Sequence, residues 1–243
     1  LCQYCKEGTV WDEVVQGCIV ANPSDSNFDG CVQLNDLLDL LSAYGNCGVE
    51  ETLWQCGDPL EYQGYDYETV QIGEECWFAE NCRYLPDVNS PSDRSNTEAK
   101  YYVWQNTFTD VGVASTSEEY LARGALYNHP AAMTTCPQGW KLPSSEDFEE
   151  LSIISGGDEF AGASLNSANM GGDDIWEFQI NRTGYLSDEG IWAAPNRANF
   201  WNASPDPLNS ENALYRYTVG NEPQFLEVGN RLRAGKAVRC LKE

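Results

Sequence analysis

Ten cysteines in a 243-residue chain with a single histidine constrain the fold more than any other feature. They stand at Cys2, Cys5, Cys18, Cys31, Cys47, Cys56, Cys76, Cys82, Cys136 and Cys240. Cys2-Gln-Tyr-Cys5 has the C-x-x-C spacing of half a zinc site, but no second C-x-x-C follows to complete four ligands. Scattered, even-numbered cysteines read instead as disulfides formed in an oxidising compartment. Cys47 falls close enough after a predicted helix to pair with Cys31, and Cys56 and Cys76 flank the first predicted strands and pair with each other. The first residue is Leu1 and no signal-like segment leads it. The expectation is a mature or trimmed product of a secreted or cell-surface precursor.

Charge narrows the partners. The chain carries 38 Asp and Glu against 14 Lys and Arg, a net of −24. Such a surface repels phosphate, which excludes nucleic acid, and is repelled by anionic lipid. No apolar run is long enough to span a bilayer, so no membrane insertion is expected. Disorder is excluded by the 12 % of aromatic residues.

The chain divides by pattern into a Cys-rich segment over 1–48, a connector over 49–55 and a Trp-, Tyr-, Gly- and Asn-rich domain over 56–243. Runs at 68–72, 100–104, 213–219 and 236–241 alternate or are rich in strand formers, and predict short strands. Phe148, Leu151 and Ile154 recur every third residue behind Ser144, Glu146 and Asp147, which predicts a helix capped by Ser144 and closed at Gly156-Gly157. The stretches 86–98 and 156–175 read as loops.

The strongest chemical motif runs from Asp25 to Asp36. Asp25, Asn27, Asp29 and Asp36 place side-chain oxygens at positions one, three, five and twelve, with Gly30 at the sharp turn. Cys31 ligates through its main-chain carbonyl and Gln33 through water, completing the oxygen-rich shell that Ca2+ requires. Leu34, Leu37, Leu38 and Leu41 then give the next helix an apolar face. An EF-hand would carry Glu at the last position. Asp36 and the leucine pattern instead resemble the calcium repeat of type I dockerins, of which the chain has one copy where two are usual. Calcium here is expected to be structural.

The second part carries a wider resemblance. Cys76-Trp-Phe-Ala-Glu80-Asn81 is followed by Gly124-Ala-Leu-Tyr127-Asn, Ala131-Ala-Met133 and Cys136-Pro-Gln-Gly-Trp140-Lys-Leu142-Pro143, then Phe200-Trp201-Asn-Ala-Ser204 and Ala237-Val-Arg239-Cys240. This order resembles the Fibrobacter succinogenes major paralogous domain of secreted Fibrobacteres and Bacteroidetes proteins. The resemblance implies an α+β fold: an irregular C-type-lectin-like or formylglycine-generating-enzyme-like domain with small twisted sheets. It also implies a Cys136–Cys240 bridge. Cys82 stands where an apolar residue is expected, which suggests an extra bridge, and 5–18 and 2–82 is the trial pairing of the four remaining cysteines.

Catalysis is hard to place. His129, in Tyr-Asn-His-Pro, reads as a turn residue rather than a base, and Cys240 reads as half of a bridge rather than the thiol of a formylglycine-type enzyme. Trp176, Tyr185, Trp192 and Trp201 lie among Asn and Asp and suit sugar binding, although a helix-poor fold also needs such rings for its core. Asn181-Arg-Thr183 and Asn202-Ala-Ser204 are glycosylation sequons. The sequence therefore predicts a secreted, non-catalytic structural or adhesive protein stabilised by calcium and disulfides. Its partners would be other surface or matrix proteins or further copies of itself. A carbohydrate-binding module is the alternative, and a formylglycine-type enzyme the third reading.

Overall fold

The computed structural model describes residues 54–243 throughout and, before them, only residues 9–12, 17–20, 34, 37 and 38. The chain forms two compact units, Leu1–Leu53 and Trp54–Glu243. In the first, β1 (Thr9–Asp12) and β2 (Gly17–Val20) pair as an antiparallel hairpin. Leu34, Leu37 and Leu38 are helical and each at least half exposed. The expected calcium ligands Asp25, Asn27, Asp29, Cys31, Gln33 and Asp36 lie outside the described residues, as do the 31–47 and 5–18 pairings.

The second unit is α+β, assembled from small antiparallel sheets with few helices. It opens with the hairpin of β3 (Leu60–Tyr62) and β4 (Tyr65–Tyr67), then β5 (Thr69–Ile72) and β6 (Glu75–Phe78). β7 (Tyr101–Tyr102) pairs with β8 (Leu126–Tyr127) across the short helices α1 (Val111–Ala114) and α2 (Glu118–Arg123). After α3 (His129–Ala132) and β9 (Trp140–Lys141) comes the main helix α4 (Ser145–Ile154), and then α5 (Ala161–Leu165). The chain ends in the hairpin β10 (Tyr185–Leu186) and β11 (Trp192–Ala193), the meander β12 (Arg197–Pro205), β13 (Asn212–Val219) and β14 (Leu226–Arg231), and β15 (Leu241–Lys242).

Helix α4 forms where its cap signals place it. The Asp147 amide donates to the Ser144 hydroxyl oxygen at 3.2 Å, and the Ser144 amide donates to the Asp147 carboxylate at 2.7 Å, a capping box. Phe148 and Leu151 are buried, and the helix stops before Gly156 and Gly157, whose φ of 114° and 83° suit glycine. The stretch 156–175 is not all loop as expected. It contains α5 and a 3-10 turn at Ala168–Met170. Small residues make this helix possible: a Cβ on Gly162 would stand 2.6 Å from the carbonyl oxygens of Pro223 and Gln224.

The segment 236–241 departs furthest from the expected single strand. Only Leu241 enters a ladder, between Trp77 and Lys141 in the sheet ordered β5-β6-β15-β9. Its neighbours each join a different element. Lys236 exchanges amide bonds with Tyr127, Ala237 bonds Asn199 and Trp201, Val238 accepts from Cys82, and Cys240 accepts from Phe78. The segment lies between two buried clusters. One is built on Tyr67, Phe78, Tyr127, Trp140 and Trp201, the other on Trp77, Phe148, Phe178, Phe200 and Phe225.

Two bridges staple this arrangement, Cys56–Cys76 and Cys136–Cys240. Cys82 is a free thiol with no exposed surface, so the trial pairing 2–82 is corrected: the side chain is enclosed by the first cluster and takes the place of the usual apolar residue. The second bridge spans 104 residues of sequence. Removing it by Cys136→Ala with Cys240→Ala should lower stability by about 4–5 kcal/mol in the chain-entropy account, read from urea midpoints of wild type and double variant. Loss of under about 1 kcal/mol would show that residual structure already constrains the unfolded chain.

Candidate functional site

A cleft lined with tyrosines forms around the first hairpin of the second unit. The sequence Leu60-Glu-Tyr-Gln-Gly-Tyr-Asp-Tyr67 turns at Gln63 and Gly64, both at positive φ (55° and 77°), a two-residue hairpin turn. Strand alternation then sends Tyr62, Tyr65 and Tyr67 to one face and leaves Glu61 and Asp66 exposed on the other. Tyr84 and Tyr120 close the cleft with Arg83, around a volume of about 330 Å3.

Arg83 organises the floor. Its guanidinium carbon lies 4.8 Å from the Tyr65 ring centre and 5.9 Å from that of Tyr120. Its Nε donates to Glu80 at 3.2 Å, and its terminal nitrogens donate to the carbonyls of Tyr120 and Leu121. Tyr65 adds its own hydroxyl to Glu80 at 2.6 Å. The phenols are committed to the frame: Tyr62 donates to the Thr135 carbonyl, Tyr120 to that of Arg83, and Tyr67 accepts the Arg83 amide. Burial pushes the Tyr62 phenol up to about 12, with nearby Cys82 and two tyrosines adding to it. Burial and the Glu80 hydrogen bond raise Tyr65 to about 12, while Arg83 opposes. These phenols stay protonated and present ring faces rather than a transferable proton. Behind them the Cys82 thiol, 4.0 Å from the Tyr67 hydroxyl, is pushed up by burial, which makes it a poor nucleophile.

The four aromatics singled out in the sequence are not gathered on one face. Trp201 is fully buried and donates its indole N–H to the Tyr127 carbonyl at 2.8 Å. Tyr185 is half-buried and joins Trp201 and Tyr215 around the buried Lys236 ammonium, at 4.6, 4.9 and 3.8 Å. Trp192 meets Trp104 edge-on at 5.4 Å, and Trp176 packs against the second cluster. The cleft tyrosines were not singled out in the sequence. Their signal was the alternation of tyrosine on either side of a Gln-Gly turn.

His129 opens α3 behind the cap Asn128, and its Nε2 lies 3.0 Å from the Asn202 carbonyl. Burial lowers its pKa, so the ring is neutral at pH 7 and donates to that carbonyl. Among the described residues, no group of three or more His, Cys, Asp or Glu side chains could hold a metal ion. Among them, too, no helix is long and apolar enough to cross a membrane.

Fold and cleft together define a disulfide-stapled α+β domain with an aromatic recess on its surface. The family model described as the Fibrobacter succinogenes major domain matches residues 70–242, and the chain belongs to that family. No curated protein and no solved structure matches it.

One carboxylate outside the cleft is set against its surroundings. Burial, followed by the charges of Asp147 and Glu150, raises Glu75 to about 7, while Trp77 and Lys141 pull the other way. An unfolded Glu titrates near about 4.3, so the folded state holds this proton more tightly. Ionised Glu75 therefore costs stability, increasingly from about pH 4.3 to about pH 7, and fully above that. Glu75→Gln should stabilise by about 1 kcal/mol at pH 8, after allowance for solvent screening, and leave stability unchanged at pH 4. Equal melting shifts at both pH values would remove the proton linkage.

Proposed function

We propose that the chain is a non-catalytic adhesive or structural domain of a secreted or cell-surface protein, and that the tyrosine cleft is where it holds its ligand. The observation that carries this reading is the cleft itself. Tyrosines line the recess, while the hydroxyls of Tyr62, Tyr65, Tyr67 and Tyr120 and the charges of Arg83 and Glu80 are bonded within the frame. Such a surface suits stacking on a ligand and offers no poised acid, base or nucleophile. Two disulfides support an oxidising exterior. The finer fold assignment, a C-type-lectin-like domain, is part of the proposal; small sheets joined by long loops are consistent with it. The thiol chemistry of a formylglycine-type enzyme is disfavoured, since Cys240 is bridged and Cys82 enclosed.

Polysaccharide is the ligand class the cleft suits best, which makes adhesion a matter of capturing matrix glycans. Purified chain should co-sediment with insoluble polysaccharides of cell walls and release no new reducing ends from them. Failure to sediment with any of them, or release of sugar, would overturn this reading.

Calcium belongs to the proposal on the donor set of the dockerin-like repeat. Asp25, Asn27, Asp29 and Asp36 with the Cys31 carbonyl and Gln33 supply hard oxygen ligands in a Gly30-turned loop. Binding one ion would bring the net charge to about −22. Excess chelator should lower the melting temperature of the first unit and added calcium restore it. A melting curve indifferent to both would remove calcium from the reading.

A further inference from the structure

The charge pattern of the cleft selects among glycans, and this step rests on the reading of the cleft as a ligand site. We infer that the cleft takes uncharged glycan chains and rejects uronate and sulfated ones.

The floor holds one cation and one anion in direct contact. Arg83 and Glu80 form an ion pair, both side chains less than one-fifth exposed. Arg83 is further covered by the rings of Tyr65 and Tyr120 and bonded to two carbonyls. Arg83 therefore has no vacant fork to offer a carboxylate or sulfate, which normally requires two parallel N–H donors. Around this neutral floor the lining residues Tyr62, Gln63, Tyr84, Leu85, Pro86 and Ser115 are uncharged. Beyond the rim stands the field of a −24 chain, with Glu61 and Asp66 exposed on the back of the same hairpin. A polyanion approaching the cleft is repelled and finds no compensating cation when it arrives.

The volume of about 330 Å3 sits at the small end of ligand sites, so the cleft reads a short internal stretch of a chain.

The test is calorimetry and amide-shift mapping of the whole chain against three hexasaccharides: a β-glucan, a β-xylan and an oligo-uronate. The two uncharged oligomers should bind and shift amides of residues 60–67, 83–85 and 115–120. Their affinity should be unchanged between about 10 mM and 0.5 M salt. The uronate should bind at least about tenfold more weakly at low salt. Tyr84→Ala should weaken the uncharged oligomers about tenfold while Tyr84→Phe, which keeps the ring, retains most of the affinity. The unmodified chain's shift map decides the location even if Tyr84→Ala fails to fold. Uronate binding as tight as glucan at low salt would overturn the charge selection. Shifts confined to other residues would overturn the cleft as the site, while polysaccharide co-sedimentation would still uphold the adhesive reading.

Discussion

The second unit depends on one buried cation. Arg239 has no exposed surface, and its guanidinium donates to the carbonyls of Phe78, Phe178 and Gln179 and to the Asn81 side chain. Among the described residues, no carboxylate forms an ion pair with it. The rings of Phe178 and Phe200 cover it, with centres at 4.6 and 5.5 Å. Burial pulls its pKa down to about 9, which still leaves it charged at pH 7. The cation thus replaces a missing sheet: it ties the end of β6, the irregular chain at 178–179 and the meander strand β12 to one point. Loss of the group would strip the buried carbonyls of Phe78 and Phe178 of this donor together, the costly direction of change for a desolvated network.

Lys236, three residues earlier, uses the same physics with less support. Its Nζ, without a hydrogen-bond partner among the described residues, sits among three ring faces, and burial lowers its pKa well below the ordinary range. Arg239 and Lys236, each enclosed by aromatic faces, explain where much of the aromatic content goes. It fills the space that long strands would otherwise span.

Legibility in the sequence followed the range of the forces involved. The helix at 145–154 was readable because its cap, its acidic first turn and its apolar spacing all lie within ten residues. Strands β5 and β13 were readable from local pattern, and the two bridges of the second unit matched their expected partners. What failed was non-local. The 236–241 run looks like a strand, yet its amides go to several separate elements, which no periodicity encodes. Trp201 and Tyr185 looked like surface aromatics because the cation that gathers them lies far along the chain. The cleft depends on Arg83 and Tyr120 meeting the hairpin, a contact between residues 37 apart in sequence that alternation alone cannot announce.

The position of the Arg239 segment has a consequence for the life of the chain. Every element it joins precedes it, so the two clusters cannot close while residues 236–241 are still being delivered. Domains usually fold as units once their chain has emerged; here the last strip is the seam. Until it arrives, the aromatic faces remain unpaired and Cys136 has no partner to oxidise with. Such a chain stays loose until residues 236–241 arrive, and locks once the Cys136–Cys240 bond closes.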